Sequence, residues 1–327
     1  MMKTPIKSII TALLLLLVVM ACKKVEHGFL SNQIRYRDSP IRIQRGIVTQ
    51  TRAVDNDGSS APVTYELLDI RDAVTKKHAD LFYTNFDRYI FISQFDVNVD
   101  TTIELLNTHR QLIKAPAVEF NQFTGAFTFY GTTANVPVGD YEFDVRASNE
   151  NGSKEYKNVG TFSLFEGPVA EQSAGGGAWF KDGSTTSGDI GEPEVKIKKL
   201  STEGTLIILK IVDKNGTPFN PKNNEIIKRG DRNSFDTFAR FHPLVLTDST
   251  MTCNFEVTPF PLVAGPPGQG YTIYYRIPGT FARLDPGLTP TPDRGYSVNP
   301  RFTFRIYQEG TYEVTVRIKN ATRDVIQ

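Results

Sequence analysis

The sequence predicts an all-β protein made of two sandwich modules in tandem. Three observations predict it: apolar residues recur at period two, helical periodicity is scarce, and one strand motif occurs twice. Tyr141, Phe143, Val145 and Ala147 share one face of a segment whose other face is Glu142, Asp144, Arg146 and Ser148, the alternation of a half-buried strand. Phe127 and Phe129 alternate with Thr128 and Tyr130, Val195 and Ile197 with Lys196 and Lys198, and Phe302, Phe304 and Ile306 with Thr303 and Arg305. The unbroken apolar run 206–209 reads as a strand buried on both faces or twisting through a core. Asn151-Gly152 and Asn215-Gly216 supply turns between such runs, since both residue types tolerate the backbone angles of tight hairpins. Only 69–82 and 222–238 have room for short helices, and neither keeps a helical period.

The repeated motif sets the number of modules. Gly139–Asn149 aligns without gaps on residues 310–320, with glycine, tyrosine, glutamate, valine, arginine and asparagine coinciding. Each copy is a glycine turn feeding a strand whose tyrosine opens the buried face. It resembles the penultimate strand of immunoglobulin-like domains, where such a tyrosine packs at a corner. The resemblance implies two tandem immunoglobulin-like β-sandwich modules, one closed by each copy. Residues 46–166 form module one and 178–327 module two, joined by a linker over 167–177 in which Gly175-Gly176-Gly177 acts as a hinge. Few residues follow Asn320, so the last strand of module two is short (323–326), missing, or placed elsewhere in the sheet. A proline- and glycine-rich insertion over 258–300 makes module two long, and long loops on a rigid scaffold are where binding residues concentrate.

The N-terminus predicts export. Lys3 and Lys7 precede an apolar run over 9–20, too short to span a bilayer, and Ala21 supplies the small residue that signal cleavage needs. Val19-Met20-Ala21-Cys22 resembles a bacterial lipobox, which implies a signal peptide over 1–21 and acylation of Cys22. Residues 22–45 then form a tether. No second apolar run of spanning length follows, so membrane attachment is through the lipid anchor. Arg35, Arg37, Arg42, Arg45 and Arg52 crowd the start of the mature chain, as a solvated stem or as an attraction to anionic lipid or lipopolysaccharide. Net charge is +1, from 37 Lys+Arg against 36 Asp+Glu, so no global field draws nucleic acid. Cys253 has no intrachain partner once Cys22 carries lipid, and it sits in an alternating segment as a small buried hydrophobe.

Catalytic and cofactor motifs are missing. His27, His78, His109 and His242 are scattered singly, no metal-ligand spacing occurs, and there is no nucleophile elbow or phosphate loop. A carboxylate pair assembled in space stays open, as does calcium binding by 55–59 (Asp-Asn-Asp-Gly-Ser) with Glu66, against the simpler reading of a polar turn. No enzyme activity and no cofactor are expected. The candidate ligand-binding residues are Trp179, Tyr271, Tyr275, Tyr296 and Arg294, because sugar C–H faces pack on aromatic planes while polar neighbours bind hydroxyls. The competing reading makes Trp179 a core or interdomain residue and turns one of Tyr274 and Tyr275 inward.

The start Ala21-Cys22-Lys23-Lys24 followed by β-modules resembles lipoproteins of Bacteroidetes. More closely, Gly28-Phe29-Leu30-Ser31 through Ile34-Arg35-Tyr36, with 55–68, resembles an uncharacterised-domain family of such lipoproteins associated with SusC/SusD-type glycan-utilisation loci. The resemblance implies an outer-membrane, surface-facing accessory lipoprotein organised like the SusE and SusF types. Its implied partners are an oligosaccharide or polysaccharide and a SusC/SusD-like complex. The alternative is a structural or adaptor lipoprotein that contacts an outer-membrane protein, with its aromatics buried.

Overall fold

The computed structural model describes residues 28–230, 232–290 and 293–324. The signal peptide, Cys22 and the end of the proposed 323–326 strand lie outside the described residues. The chain is mostly β-strand, with several sheets and few helices, as its alternation predicts. No described helix is long and apolar enough to cross a membrane. Two compact units form: one from residues up to 85 together with 116–166, the other from 86–115 together with 167–327.

The first unit begins with β1 (Ile41–Gln44), β2 (Thr49–Gln50) and β3 (Thr64–Asp72). The chain then leaves through β4 (Asn85–Phe91), the short helix α1 (Ile103–Thr108) and β5 (Arg110–Pro116). It returns as β6 (Val118–Phe120), β7 (Phe127–Phe129), β8 (Gly139–Asn149) and β9 (Gly152–Phe165). One sheet runs β1-β9-β8-β3 and the other β2-β7-β6. The β8–β9 hairpin closes where Asn149 pairs with Gly152, at the predicted Asn-Gly turn. Phe127 and Phe129 of the small sheet meet Phe143 and Phe162 of the large one, with ring centroids 4.8 Å apart for Phe127–Phe143 and 5.1 Å for Phe129–Phe162. All four rings are fully buried, each contributing about 1.5–3 kcal/mol in transfer free energy.

The segment 22–45 is not a tether over its described part. Ile34, Tyr36 and Ile43 are buried, and β1 runs parallel to β9 with Ile41 opposite Phe162. The arginine-rich spelling hides a period-two pattern, in which Ile41 and Ile43 turn inward and Arg42 lies over the Phe165 ring. Nor are these arginines a free stem: Arg37 pairs with Asp55, Arg45 with Glu166 and Arg52 with Asp38.

The second unit contains β10 (Ala170–Lys181), β11 (Ser187–Asp189), β12 (Glu194–Ser201), β13 (Thr205–Val212) and β14 (Ile227–Lys228). After helix α2 (Phe235–Phe238) come β15 (Val245–Leu246), β16 (Met251–Asn254), β17 (Ile273–Arg276) and β18 (Ala282–Leu284). The chain ends with β19 (Tyr296–Ile306), β20 (Gly310–Arg317) and β21 (Ala321–Arg323). Sheets β11-β10-β19-β17-β14 and β12-β20-β13-β16-β15 enclose one core. Val298, Phe302 and Phe304 come from the first sheet, and Ile207, Leu209, Tyr312 and Val314 from the second.

Three further expectations change here. The linker 167–177 is largely strand: β10 pairs with β19 from Ala170–Ile306 to Lys181–Tyr296, interrupted only by a bulge between Ala174 and Gly177. The insertion 258–300 supplies β17, β18 and the start of β19 instead of one long loop. The last described strand, β21, pairs with β18 apart from the large sheets. Helix α1 was not foreseen. Thr102 caps it by accepting from the Leu105 amide at 3.3 Å, a signal visible only as a Thr before a short apolar run.

Both copies of the repeated motif make the same contact. The Tyr141 hydroxyl donates to the Pro137 carbonyl at 2.8 Å, and the Tyr312 hydroxyl to the Gln308 carbonyl at 3.0 Å. Each ties a central strand to the turn four residues upstream. Tyr141→Phe and Tyr312→Phe are each expected to lower stability by about 1 kcal/mol, measured by urea unfolding. A neutral result in both would remove the corner bond as a stabilising feature.

On the outward face of β8, Arg71 reaches Glu142 at 2.5 Å and Asp144 at 2.7 Å, while Lys76 pairs with Glu142 and Lys157 with Asp144. Burial raises the Asp144 pKa, but bonds from Arg71, the Asn158 amide and Lys157 outweigh it and bring the carboxyl down to about 2. A folded value below the unfolded one, about 3.9, stabilises fully above about pH 4 and is lost as pH falls through about 2. Asp144→Asn is expected to cost about 2 kcal/mol at pH 7, and the gap from wild type to shrink between pH 4 and pH 2. A gap independent of pH would exclude the carboxylate as its source.

Candidate functional site

The aromatic residues singled out from the sequence do not form a groove. Trp179 is 5% exposed on β10 and meets Tyr296, 1% exposed, edge-on at 5.3 Å. Gly188 lies so close beneath the indole that a Cβ there would sit 2.4 Å from its ring. Tyr275 is buried, its hydroxyl accepts from the Phe235 amide at 3.1 Å, and burial pushes its phenol far above the ordinary range. The reason is register. Trp179 shares the inward side of β10 with Gly177, and Tyr275 shares that of β17 with Ile273 and Ile277. A buried ring offers no platform for a sugar. Arg294 is exposed and pairs with Asp324 at 3.0 Å. Only Tyr271 of the five belongs to the face described next, half-buried with the Arg305 guanidinium 4.6 Å over its ring.

The opposite register of the same sheet carries what the sequence reading passed over. Tyr274 on β17 stands directly across from Arg301 on β19. Arg276 donates from Nε to the Asn299 side-chain oxygen at 3.1 Å, and Asn299, fully buried, donates to the Ala178 carbonyl at 3.3 Å. From the chain after β14, Arg229 lies 5.5 Å over the Phe180 ring and Arg232 5.7 Å over Tyr274. The Gly175–Gly176 bulge makes room for Arg301. Gly176 has φ +87°, and a Cβ there would fall 2.7 Å from an Arg301 guanidinium nitrogen. The triple glycine is thus a seat for an arginine and not a hinge.

Among the described residues, Arg229, Arg232, Arg276 and Arg301 form no ion pair. Burial first, then repulsion from Arg276, Arg232 and Arg301, pulls the Arg229 guanidinium below its ordinary value. The cluster is a preorganised array of N–H donors with excess positive charge, supported on Phe180 and Tyr274. Chemically it can bind hydroxyls and anions.

The histidines are less isolated than their spacing implied. His78 lies 2.6 Å from Asp69, His109 3.1 Å from Asp100 and His242 2.7 Å from Glu256. His109 Nδ1 also lies 2.7 Å from the Ser93 hydroxyl, so a serine, an imidazole and a carboxylate stand in line within 93–109. The wiring is the reverse of a serine hydrolase, with serine on Nδ1 and the acid on Nε2. Asp100 is buried and also accepts from the Asp96 amide at 2.7 Å, which makes the trio a fastening of the loop before α1. The 55–59 segment is a turn whose acids are engaged. Asp55 pairs with Arg37, Asp57 accepts from the Ser31 hydroxyl, and Glu66 pairs with Arg146. Among the described residues no His, Cys, Asp and Glu group has metal-holding geometry.

No protein-family model matches the chain, and no curated protein is similar to it in sequence.

Cys253 is 3% exposed and burial pushes its thiol up to about 12, so thiolate is scarce at neutral pH. A Cys22→Ser chain is expected to resist maleimide at pH 8 until it is unfolded. Labelling of the native chain as fast as of the denatured one would contradict that burial.

Proposed function

We propose that this chain is a non-catalytic cell-envelope lipoprotein, anchored in the outer membrane through Cys22, that holds a glycan at the cell surface in support of a SusC/SusD-type importer. Its two units are read as immunoglobulin-like sandwich modules, on the strength of the paired tyrosine corners and the β1-β9-β8-β3 strand order. The observation that carries the binding reading is the outward face of β10, β19 and β17, where four guanidiniums form no ion pair among the described residues and Arg229 and Arg232 lie over aromatic rings. Sugars present many hydroxyl acceptors at short spacing, and such a donor array meets them without rearrangement.

The adaptor reading has its own support. Within 86–115, Tyr89, Phe91, Ile92, Val99, Leu105 and Leu112 are exposed, Val99 by 66% and Ile92 by 59%, an apolar density that suits a protein partner. Glycan-array binding by wild type, Tyr274→Ala and Trp179→Ala separates the two. The binding reading expects a hit that Tyr274→Ala loses. Trp179→Ala instead lowers stability by about 3–5 kcal/mol and, where folded, keeps the ligand. No hit on the array, with co-purification of an outer-membrane protein lost on Ile92→Asp, would replace binding by the adaptor role.

A further inference from the structure

We propose that the ligand held on this face is an anionic polysaccharide, whose sulfate or carboxylate groups are bound by Arg229, Arg232, Arg276 and Arg301. The inference rests on reading the face as a glycan site and names the class of glycan.

Four guanidiniums on adjoining strands and one loop repel one another, and the fold brings no described carboxylate among them. The chain as a whole is almost neutral, at +1, so the cluster is not the by-product of a basic protein. Several other cations of the second unit do find carboxylates: Lys210 pairs with Glu313 at 2.5 Å, and Arg323 with the buried Glu225 at 2.6 Å through two nitrogens. An arrangement that leaves like charges uncompensated is relieved when an anion enters. Repulsion from Arg276, Arg232 and Arg301 adds to burial, the larger cause, in lowering the Arg229 pKa.

The residue type narrows the ligand. Arginine presents a planar fork that matches the two oxygens of a carboxylate or sulfate, where lysine offers a point charge. The forks are held in advance: Arg276 by Asn299, Arg301 by the glycine bulge, Arg229 and Arg232 on rings. Two other anionic partners fit less well. A lipid surface needs apolar side chains that protrude, and Phe180 and Tyr274 are half-buried under guanidiniums. A nucleic acid stacks its bases on open ring faces, which these cations occupy.

The test is calorimetric titration of the Cys22→Ser mature chain with heparin, polygalacturonate, neutral dextran, inorganic sulfate, phosphatidylglycerol vesicles and a single-stranded oligonucleotide. The expected result is binding to heparin or polygalacturonate only, weakened at least tenfold between 50 and 500 mM salt. Arg301→Ala and Arg229→Ala each weaken it about tenfold with unchanged circular dichroism, and Arg301→Lys restores part of it. Arg294→Ala, whose side chain is paired with Asp324, leaves affinity unchanged. Dextran binding as tight as heparin binding and insensitive to salt would overturn the anionic class while leaving glycan holding intact. Binding of no glycan would overturn both, and binding confined to sulfate, vesicles or oligonucleotide would reassign the face.

Discussion

The two units depend on facing sheets that bury one side of their long strands. Phe127 and Phe129 against Phe143 and Phe162 form the core of the first unit, and Phe302 and Phe304 stand in the core of the second beside Ile207 and Tyr312. Because successive side chains point to opposite faces, each strand that feeds the core also writes an outer face. On β19, Val298, Phe302 and Phe304 go inward, so Arg301 and Arg305 face outward, while Asn299 on the same register is buried and accepts from Arg276. The candidate site is the reverse side of the core.

Electrostatics then separates two kinds of arginine. The N-terminal arginines are conspicuous in sequence, yet Arg37, Arg45 and Arg52 find carboxylates. The arginines of the second unit are dispersed over 229–301 and come together only when β14, β17 and β19 align. Local crowding along a chain is a poor guide to local charge in space, because sheet neighbours come from distant segments. The first group is mostly neutralised and structural, and the second forms no ion pair among the described residues.

Much of the fold was legible, and for identifiable reasons. Alternation in β8, β7, β12 and β19 depends only on neighbours along the chain, as does the hairpin turn at 151–152. The repeated Gly-x-Tyr-Glu motif located two strands whose tyrosines make matching corner bonds. The candidate site was barely legible. Trp179, Tyr275 and Tyr296 carried the right chemistry on the wrong register, and only Tyr271 lies on the outward face. Parity along one strand does not say which parity faces the core when both contain aromatics, as with Tyr274 and Tyr275. The 22–45 segment failed for a related reason: charged residues between Ile34, Tyr36 and Ile43 masked a buried stripe.

The sequence by itself determined the strand-rich class, the turn positions, the duplicated tyrosine motif and the near-neutral charge, since each is set by residues close together in the chain. Only the tertiary structure decided which aromatics are core, that Gly175–Gly176 seats Arg301, and that arginines from distant segments meet beside Tyr274. These depend on pairings between β10, β17 and β19, strands that come together only when the core closes.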